Sequence, residues 1–197
     1  MWNELGGFNP EILAEDTELT YRLYMKGLKV AYVNSAVCYE ESPETWEARA
    51  VQIQRWARGH NQVMFEYFNK VLFDTKHSFI QKIDALMTLL TYVLPFLILI
   101  GQPICLVLLW LGDVEFALAW ILFLGLSMFN SFGNFAPFFE IATACVLDGD
   151  VEALKYLPSL IFSFFFYMWF ISVGFIQALV DKLTGRHAIW KSTQHNG

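Results

Sequence analysis

The sequence predicts two regions of different fold class: a polar α/β region over residues 1–78 and a region of membrane helices over residues 79–197. Of the 197 residues, 56% are hydrophobic and 16% are charged, whereas a soluble domain has about 25% charged residues. Residues 1–78 contain 8 of the 13 Lys and Arg side chains and 11 of the 19 Asp and Glu side chains. Residues 79–197 contain only 5 and 8. This uneven distribution predicts that the two regions lie in different solvents, water and lipid.

The charge and the cysteines exclude two classes of function. A formal net charge of −6 argues against a protein that binds nucleic acid, because contact with phosphates needs a basic surface. Cys38, Cys105 and Cys145 are odd in number and far apart along the chain. They therefore predict neither a disulfide framework nor a zinc site.

The polar region begins with a turn, a helix and a strand segment. Gly7 lies in a Gly-Gly-Phe sequence at residues 6–8, which predicts a flexible turn where backbone can approach a ligand closely. Residues 15–26 predict a helix, because acidic side chains at its start suit the positive end of the helix dipole and Gly27 can end it. Residues 30–39 alternate enough to predict short strands.

A second, longer helix is predicted after these strands. Ser42 as N-cap and Pro43 at the first helical position begin it, and the pattern continues to about Phe68. Four residues spaced i, i+3, i+4 and i+7 share one face of this helix: Gln52, Arg55, Trp56 and Gly59. That face offers an amide, a guanidinium, a large aromatic ring and a gap, whereas a face that only packs in a core would carry aliphatic side chains.

Three long apolar runs predict membrane spans at residues 86–111, 116–132 and 157–180. A bilayer crossing needs about 20 predominantly apolar residues, and the first run is expected to kink at Pro95 or Pro103. Residues 133–147 are apolar but interrupted by polar side chains, which predicts an interfacial or re-entrant helix. A soluble helical core is the alternative, but it would need polar faces at the 3.6-residue period, which these runs lack.

The distribution of basic side chains predicts the topology. They flank the first run and follow the last one: Lys76, Lys82, Lys182, Arg186 and Lys191. The positive-inside rule then places both ends of the membrane region in the cytoplasm. Three crossings cannot satisfy this, so either residues 133–147 add a fourth crossing or the basic C-terminal segment does not follow the rule. We expect a multi-pass protein of the cell membrane with three to four spans and a cytoplasmic polar region.

Two short motifs of the polar region resemble those of a known family. Gln52-Ile53-Gln54-Arg55-Trp56 resembles the QxxRW motif of membrane-embedded family-2 glycosyltransferases, the group that includes cellulose, chitin and hyaluronan synthases. The Gly-Gly-Phe turn followed by Ala14-Glu15-Asp16 resembles the acceptor-side turn and the Thr-Glu-Asp motif of that family, with Ala14 in place of Thr. The resemblance covers essentially the whole chain and is closest to bacterial members. It implies the C-terminal portion of a GT-A-type (Rossmann-like) glycosyltransferase domain, followed by a multispan transmembrane region.

The resemblance also implies roles for individual residues. Asp16 would be the general base that removes a proton from the acceptor hydroxyl as its oxygen attacks the anomeric carbon of a nucleotide-sugar, with a UDP-linked sugar as the expected donor. The alternative for an Asp near a helix start is a residue that only complements the helix dipole. The residues expected to bind substrate are Glu15, Gly7, Gln52, Arg55 and Trp56.

Three of these residues have chemistry that suits a nucleotide-sugar. The guanidinium of Arg55 matches the oxygens of a diphosphate. Gln52 would add a hydrogen bond, and Trp56 would offer a flat apolar face to a sugar ring. An amphipathic surface helix with incidental polar groups is the alternative interpretation of the same pattern.

The metal-binding part of the family pattern is expected upstream of this chain. Family members hold Mg or Mn together with the uridine diphosphate on an Asp-x-Asp motif that follows a strand. Asp148-Gly149-Asp150 matches the Asp-x-Asp pattern but follows no predicted strand, so we expect a solvated loop there. We therefore expect a longer enzyme whose N-terminal half is missing from this chain, with the divalent metal bound in the full-length enzyme and none bound by this chain alone.

Three functions remain open from the sequence. The first is an inverting transferase that extends a polysaccharide, and the second is a non-processive transferase that moves one sugar onto a lipid acceptor. The third is a non-catalytic multispan membrane protein, which would tolerate replacement of Asp16, Gln52 and Arg55. The expected partners are a nucleotide-sugar, a glycan or lipid acceptor and the lipid bilayer.

Overall fold

A computed structural model describes residues 6–128, apart from 32, 34, 35, 37 and 39, and residues 136–186. The chain divides into two compact units, one of Met1–Phe96 with Phe170–Gly197 and the other of Leu97–Trp169. The described helices are α1 (Glu15–Met25), α2 (Trp46–Leu72), α3 (Phe79–Leu90), α4 (Leu94–Trp110), α5 (Val114–Met128), α6 (Ala136–Leu147) and α7 (Ser159–Thr184), with a short 3-10 helix at Val151–Tyr156.

The first predicted helix is confirmed, and the start of the second is wrong. α1 spans Glu15–Met25, and Gly27 follows it with a φ of 73°, a left-handed conformation that favours glycine. α2 begins at Trp46 because the hydroxyl of Thr45, and not of Ser42, accepts a hydrogen bond from the Ala48 N–H at 3.2 Å.

The predicted strands at residues 30–39 do not form in the part of this segment that the structure describes. The described positions between α1 and α2 have no regular structure, and Val30 and Val33 are exposed. A strand needs a neighbour to accept and donate its backbone hydrogen bonds. No partner strand is present elsewhere among the described residues, so the α/β prediction for the polar region holds there only in its helices.

α1 is fixed in the first unit by two buried tyrosines. The Tyr21 hydroxyl donates to the Ala85 carbonyl of α3 at 2.6 Å, and the Tyr67 hydroxyl of α2 donates to the Glu18 carboxylate at 2.6 Å. Glu18 is only 3% exposed and is also paired with Arg22, so its charge is compensated. Burial raises the pKa of Tyr21 to about 12. The surrounding core cluster consists of Tyr21, Val63, Met64, Tyr67, Val71, Ala85, Leu89 and Phe175.

The C-terminal part of α7 packs closely on α2 in the same unit. A Cβ on Gly174 would lie 2.5 Å from the Gln54 carbonyl oxygen and 2.7 Å from the Ala57 Cβ, so only glycine allows this approach. Further along, the Arg58 guanidinium donates two hydrogen bonds to the Asp181 carboxylate, at 2.7 and 2.8 Å. α2 therefore has one face held by α7.

The apolar helices meet the membrane prediction only in part. Among the described residues, Phe166–Thr184 of α7 is long and apolar enough to cross a bilayer, with 19 residues and a mean hydropathy of 1.3. α3 and α4 together pass the same test as a broken span. The first predicted run is therefore not one continuous helix: it breaks just before Pro95, whereas Pro103 lies inside α4. This follows from the proline ring, which is tolerated in a first helical turn.

The second unit contains shorter apolar helices. α5 has 15 residues within the predicted second run, and α6 has 12 residues within the predicted interfacial segment. α4 contacts α5 where the Trp120 ring fills the space beside Gly101, and the Cys105 thiol lies 3.6 Å from the Ala117 carbonyl oxygen. Cys105 is thus a buried packing residue, as its apolar surroundings suggest.

Candidate active site

The backbone that precedes Asp16 lies directly on α2 at Gly59. A Cβ on Gly59 would lie 2.6 Å from the Ala14 backbone nitrogen and 2.9 Å from the Leu13 carbonyl carbon. The Leu13 N–H also donates to the Gln62 side-chain oxygen at 3.1 Å. The predicted gap at Gly59 is therefore occupied by the chain itself, and this contact brings the first turn of α1 to α2.

Asp16 presents its carboxylate on the surface of this junction. One carboxylate oxygen, Oδ1, accepts hydrogen bonds from the Thr17 N–H at 2.6 Å and from the Thr17 hydroxyl at 3.3 Å. The other oxygen, Oδ2, has no hydrogen-bond partner in the part of the chain that the structure describes. Ala14 is the N-cap of α1, so Asp16 lies inside the first turn and does not cap the helix.

His60, which follows the QxxRW motif on α2, lies against Thr17 and close to Asp16. The Thr17 hydroxyl oxygen is 3.5 Å from Nδ1 and 3.4 Å from Nε2 of His60. The Tyr92 ring stacks on the imidazole, with centroids 4.4 Å apart and an angle of 20° between planes. Burial lowers the pKa of His60 below its usual range, and the negative charge of Asp16 offsets part of that effect. A signal was present in the sequence, because His60 follows Trp56 by four residues and shares its helix face.

Arg49, which the sequence did not single out, contacts two of the QxxRW residues. Its guanidinium donates to the Gln52 side-chain oxygen at 2.7 Å and lies 5.8 Å from the centroid of the Trp56 ring. Gln52 is 9% exposed and Trp56 is 37% exposed, so the amide is covered while the indole keeps an open side. The i, i+3 spacing of Arg49 and Gln52 was the available signal.

The two arginines of the motif region differ in environment. Arg55 is half-buried on α2. Arg58 is held by Asp181 of α7. A bidentate guanidinium–carboxylate pair leaves Arg58 with little capacity for a phosphate.

The remaining predicted site residues lie on or next to α1. Glu15 is half-buried at its first position. Gly6 and Gly7 both have positive φ angles, 80° and 71°, as expected of the predicted turn. Gly6 lies near the Arg22 guanidinium, at 3.9 Å from where its Cβ would be. The structure thus brings the turn and the Glu-Asp pair to α1, and α1 to α2 about one helical turn beyond Trp56.

Metal ligands were expected upstream, and Asp148-Gly149-Asp150 was expected to be a loop. Asp148 and Asp150 are exposed on either side of Gly149, and the Asp150 carboxylate accepts from the Ala153 N–H at 3.3 Å. This is a cap on the short 3-10 helix. Within residues 6–128 and 136–186, as far as they are described, no three His, Cys, Asp or Glu side chains form a group that could hold a metal ion.

Comparisons with known proteins give one family and several partial relatives. The family described as "Glycosyl transferase family group 2" matches residues 1–176. The chain is 36% identical over 84 residues to a probable glycosyltransferase, YdaM, of Bacillus subtilis strain 168, a stretch that covers 39% of this chain and 20% of that protein. It is 28% identical over 65 residues to the poly-beta-1,6-N-acetyl-D-glucosamine synthase of Staphylococcus aureus strain COL, covering 33% of this chain and 16% of that protein. No solved structure matches.

Proposed function

This chain belongs to glycosyl transferase family group 2, and we propose that it forms the acceptor-side and membrane portion of an inverting transferase. The predicted glycosyltransferase class is confirmed at the level of the family, and the family implies a GT-A type of fold. The proposed donor is a UDP-linked sugar and the proposed acceptor is a growing polysaccharide. The name of the S. aureus relative, a polysaccharide synthase, supports a polymeric acceptor.

The observation that carries this proposal is the close approach of the Leu13–Ala14 backbone to Gly59. Because no side chain intervenes, the Glu15–Asp16 pair stands next to the helix that presents Gln52, Arg55 and Trp56. Two motifs about three dozen residues apart in sequence therefore meet at one junction. A non-catalytic membrane protein, the alternative, would not require the segment before the Glu-Asp pair to lie on the helix that carries the QxxRW residues.

Each residue has a defined part in the proposed reaction. The free oxygen of Asp16, Oδ2, takes the proton of the acceptor hydroxyl while that oxygen forms a bond to the anomeric carbon. The bond from the anomeric carbon to the diphosphate breaks, and the electron pair leaves with the nucleotide diphosphate. Arg55 compensates the charge of that leaving group. Gln52 is covered and accepts a hydrogen bond from Arg49, so its proposed part is to support this face of the helix. Trp56 stacks on the acceptor sugar, while Glu15 and Gly7 shape the acceptor side.

The Mg or Mn ion of related enzymes has no fitting ligand group among the described residues. The proposal places the donor- and metal-binding portion, with its Asp-x-Asp motif, in an N-terminal half of the full-length enzyme. The matched stretches, which cover 20% and 16% of the two relatives, are compatible with this.

The bilayer is the proposed surrounding of residues 79–197, and residues 1–78 are the proposed cytoplasmic catalytic part. Exposed apolar side chains on α4 and α5 support this, because contiguous exposed apolar surface indicates contact with lipid. Examples are Leu106, Trp110, Leu118 and Leu122. The resulting protein would be a multi-pass protein of the cell membrane.

The proposal is tested by sugar transfer in membranes that contain the full reading frame. Membranes are incubated with UDP-glucose or UDP-N-acetylglucosamine carrying a labelled sugar, and products are separated by size. A polymer supports the proposed acceptor, whereas a single sugar on a lipid supports the non-processive alternative. Arg55→Ala is expected to raise the KM for the donor at least tenfold, because it removes a charged contact of about 1.5–3 kcal/mol.

Lys70→Ala is the matched control for Arg55→Ala. Lys70 is a basic residue of the same helix, and its side chain is 49% exposed and paired with Glu66. It should leave the donor KM within about twofold of wild type, because exposed ion pairs contribute little. Equal kinetics for the two variants would contradict the role given to Arg55.

A further inference from the structure

We propose that His60 is a positioning residue for Asp16, acting through the hydroxyl of Thr17. This inference rests on the proposed function, in which Asp16 is the general base. His60 does not touch the reacting atoms in this scheme. It fixes the Thr17 hydroxyl, and that hydroxyl holds one oxygen of the carboxylate so that the other faces the acceptor.

The donor and acceptor capacities of the Asp16 carboxylate, the Thr17 hydroxyl and the His60 imidazole set the direction of the two hydrogen bonds that join them. An ionised carboxylate only accepts, so the single proton of the Thr17 hydroxyl is donated to Asp16 Oδ1 at 3.3 Å. The hydroxyl oxygen can then accept from an imidazole N–H. Both ring nitrogens of His60 lie within 3.5 Å of that oxygen, and in this assignment the nitrogen that carries the proton of the neutral imidazole is the donor.

Two neighbours hold the imidazole in place. Tyr92 stacks on the ring face at 4.4 Å, which restricts rotation of the imidazole. Gly59, the preceding residue, is in tight contact with Leu13 and Ala14, which keeps α2 and the start of α1 at a fixed separation. The titratable groups described around His60 are Asp16 on α1 and Tyr92 between α3 and α4.

The consequence for Asp16 is an asymmetric carboxylate. Oδ1 accepts two hydrogen bonds from Thr17, at 2.6 and 3.3 Å, and Oδ2 has none among the described residues. An oriented base costs less reorganisation during the reaction than a freely rotating one, and misplacement of a catalytic group by about 1 Å can lower the rate about 100-fold. Loss of the His60 contact should therefore lower kcat and leave the donor KM largely unchanged.

The test is a double-mutant cycle on the full-length enzyme with His60→Leu and Thr17→Val. Each single variant is expected to lower kcat about tenfold or more. The double variant is expected to lower it no further, because both substitutions break the same hydrogen-bond connection between His60 and Asp16. His60→Gln is expected to restore kcat to within about threefold, because its amide N–H can replace the imidazole donor. Additive losses, or a wild-type kcat for His60→Leu, would overturn the inference.

Two further variants separate this inference from the proposed function. His77→Gln is the matched control: His77 bonds Asp74 and stacks on Tyr24, away from Asp16, and should keep wild-type kcat. Asp16→Asn is measured in the same assay. If Asp16→Asn is inactive and His60→Leu is normal, only the positioning role of His60 fails. If Asp16→Asn is active, the general-base assignment fails and the role of His60 fails with it. Should His60→Leu not fold, His60→Gln and Thr17→Val still decide the outcome.

Discussion

Replacement of Gly59 by Ala perturbs the contact that brings Asp16 to α2. The added Cβ would lie 2.6 Å from the Ala14 nitrogen, 2.8 Å from the Ala14 Cβ and 2.9 Å from the Leu13 carbonyl carbon. Ordinary non-bonded contacts begin at about 3.5 Å, so the segment before α1 must move by about 0.9 Å. These neighbours are mainly backbone atoms, which cannot swing aside as a flexible side chain can.

This displacement should affect activity more than stability. Overpacking of this kind costs about 1–3 kcal/mol, and the higher helix propensity of Ala returns about 1 kcal/mol of that. The net loss of about 0–2 kcal/mol leaves the chain folded. A shift of about 1 Å in a catalytic group, however, lowers the rate by up to about 100-fold. We therefore expect Gly59→Ala to reduce kcat by about 10- to 100-fold.

The assay compares kcat for sugar transfer with the thermal unfolding midpoint of the purified enzyme in detergent. Gly125→Ala is the matched control, since Gly125 is also helical and a Cβ added to it would meet no described atom within 4 Å. It should keep wild-type kcat. If Gly59→Ala retains the activity of Gly125→Ala, the junction at Gly59 does not position Asp16 and the reasoning is refuted.

Three further predictions concern stability and are read from unfolding midpoints. Asp181→Asn should destabilise the chain by about 3 kcal/mol, because it leaves the largely buried Arg58 guanidinium without its carboxylate. The free energy of unfolding should fall as pH decreases below 6.5, because the pKa of His60 is lower in the folded state and the unfolded chain therefore binds a proton more readily. His60→Gln should flatten this pH dependence. Thr45→Ala should cost about 1 kcal/mol as the loss of an N-cap, whereas Ser42→Ala should be nearly neutral.

Each of these predictions has an outcome that contradicts it. For the ion pair, Glu152→Gln is the control, because its exposed pair with Lys155 should contribute less than about 1 kcal/mol. Equal effects of Asp181→Asn and Glu152→Gln would refute the role of burial. If His60→Gln leaves the pH dependence of stability unchanged, that dependence arises from a group other than His60. A larger loss for Ser42→Ala than for Thr45→Ala would place the start of α2 where the sequence first indicated.

Local signals in the sequence predicted the helices well. α1 begins where the acidic turn predicts and ends before Gly27, because both signals act within a few residues of the chain. The start of α2 was predicted three residues too early, since Ser42 and Thr45 can both cap a helix and only the geometry of the chain selects Thr45. The strands predicted at residues 30–39 do not form at the positions of this segment that the structure describes, and the reason is different. A strand depends on a distant partner, which the pattern of one segment cannot specify.

The site was predictable in its motifs and not in its contacts. The face shared by Gln52, Arg55, Trp56 and Gly59 follows from helix periodicity alone. Three contacts join residues that are 43 to 123 positions apart: the Ala14 backbone with Gly59, Thr17 with His60, and Arg58 with Asp181. Such contacts depend on tertiary packing, for which spacing gives no information.

Asp16→Asn in the full-length enzyme is the most direct test of the proposed reaction. Asn retains an Oδ1 that accepts from the Thr17 N–H, so the first turn of α1 is preserved while the base is lost. Asp113→Asn is the matched control, because Asp113 accepts from the Phe116 N–H at a helix start and has no proposed role in transfer. We predict that Asp16→Asn lowers sugar transfer at least about 100-fold with the donor KM unchanged and that Asp113→Asn is fully active. Sugar transfer by Asp16→Asn at the rate of Asp113→Asn would contradict Asp16 as the general base.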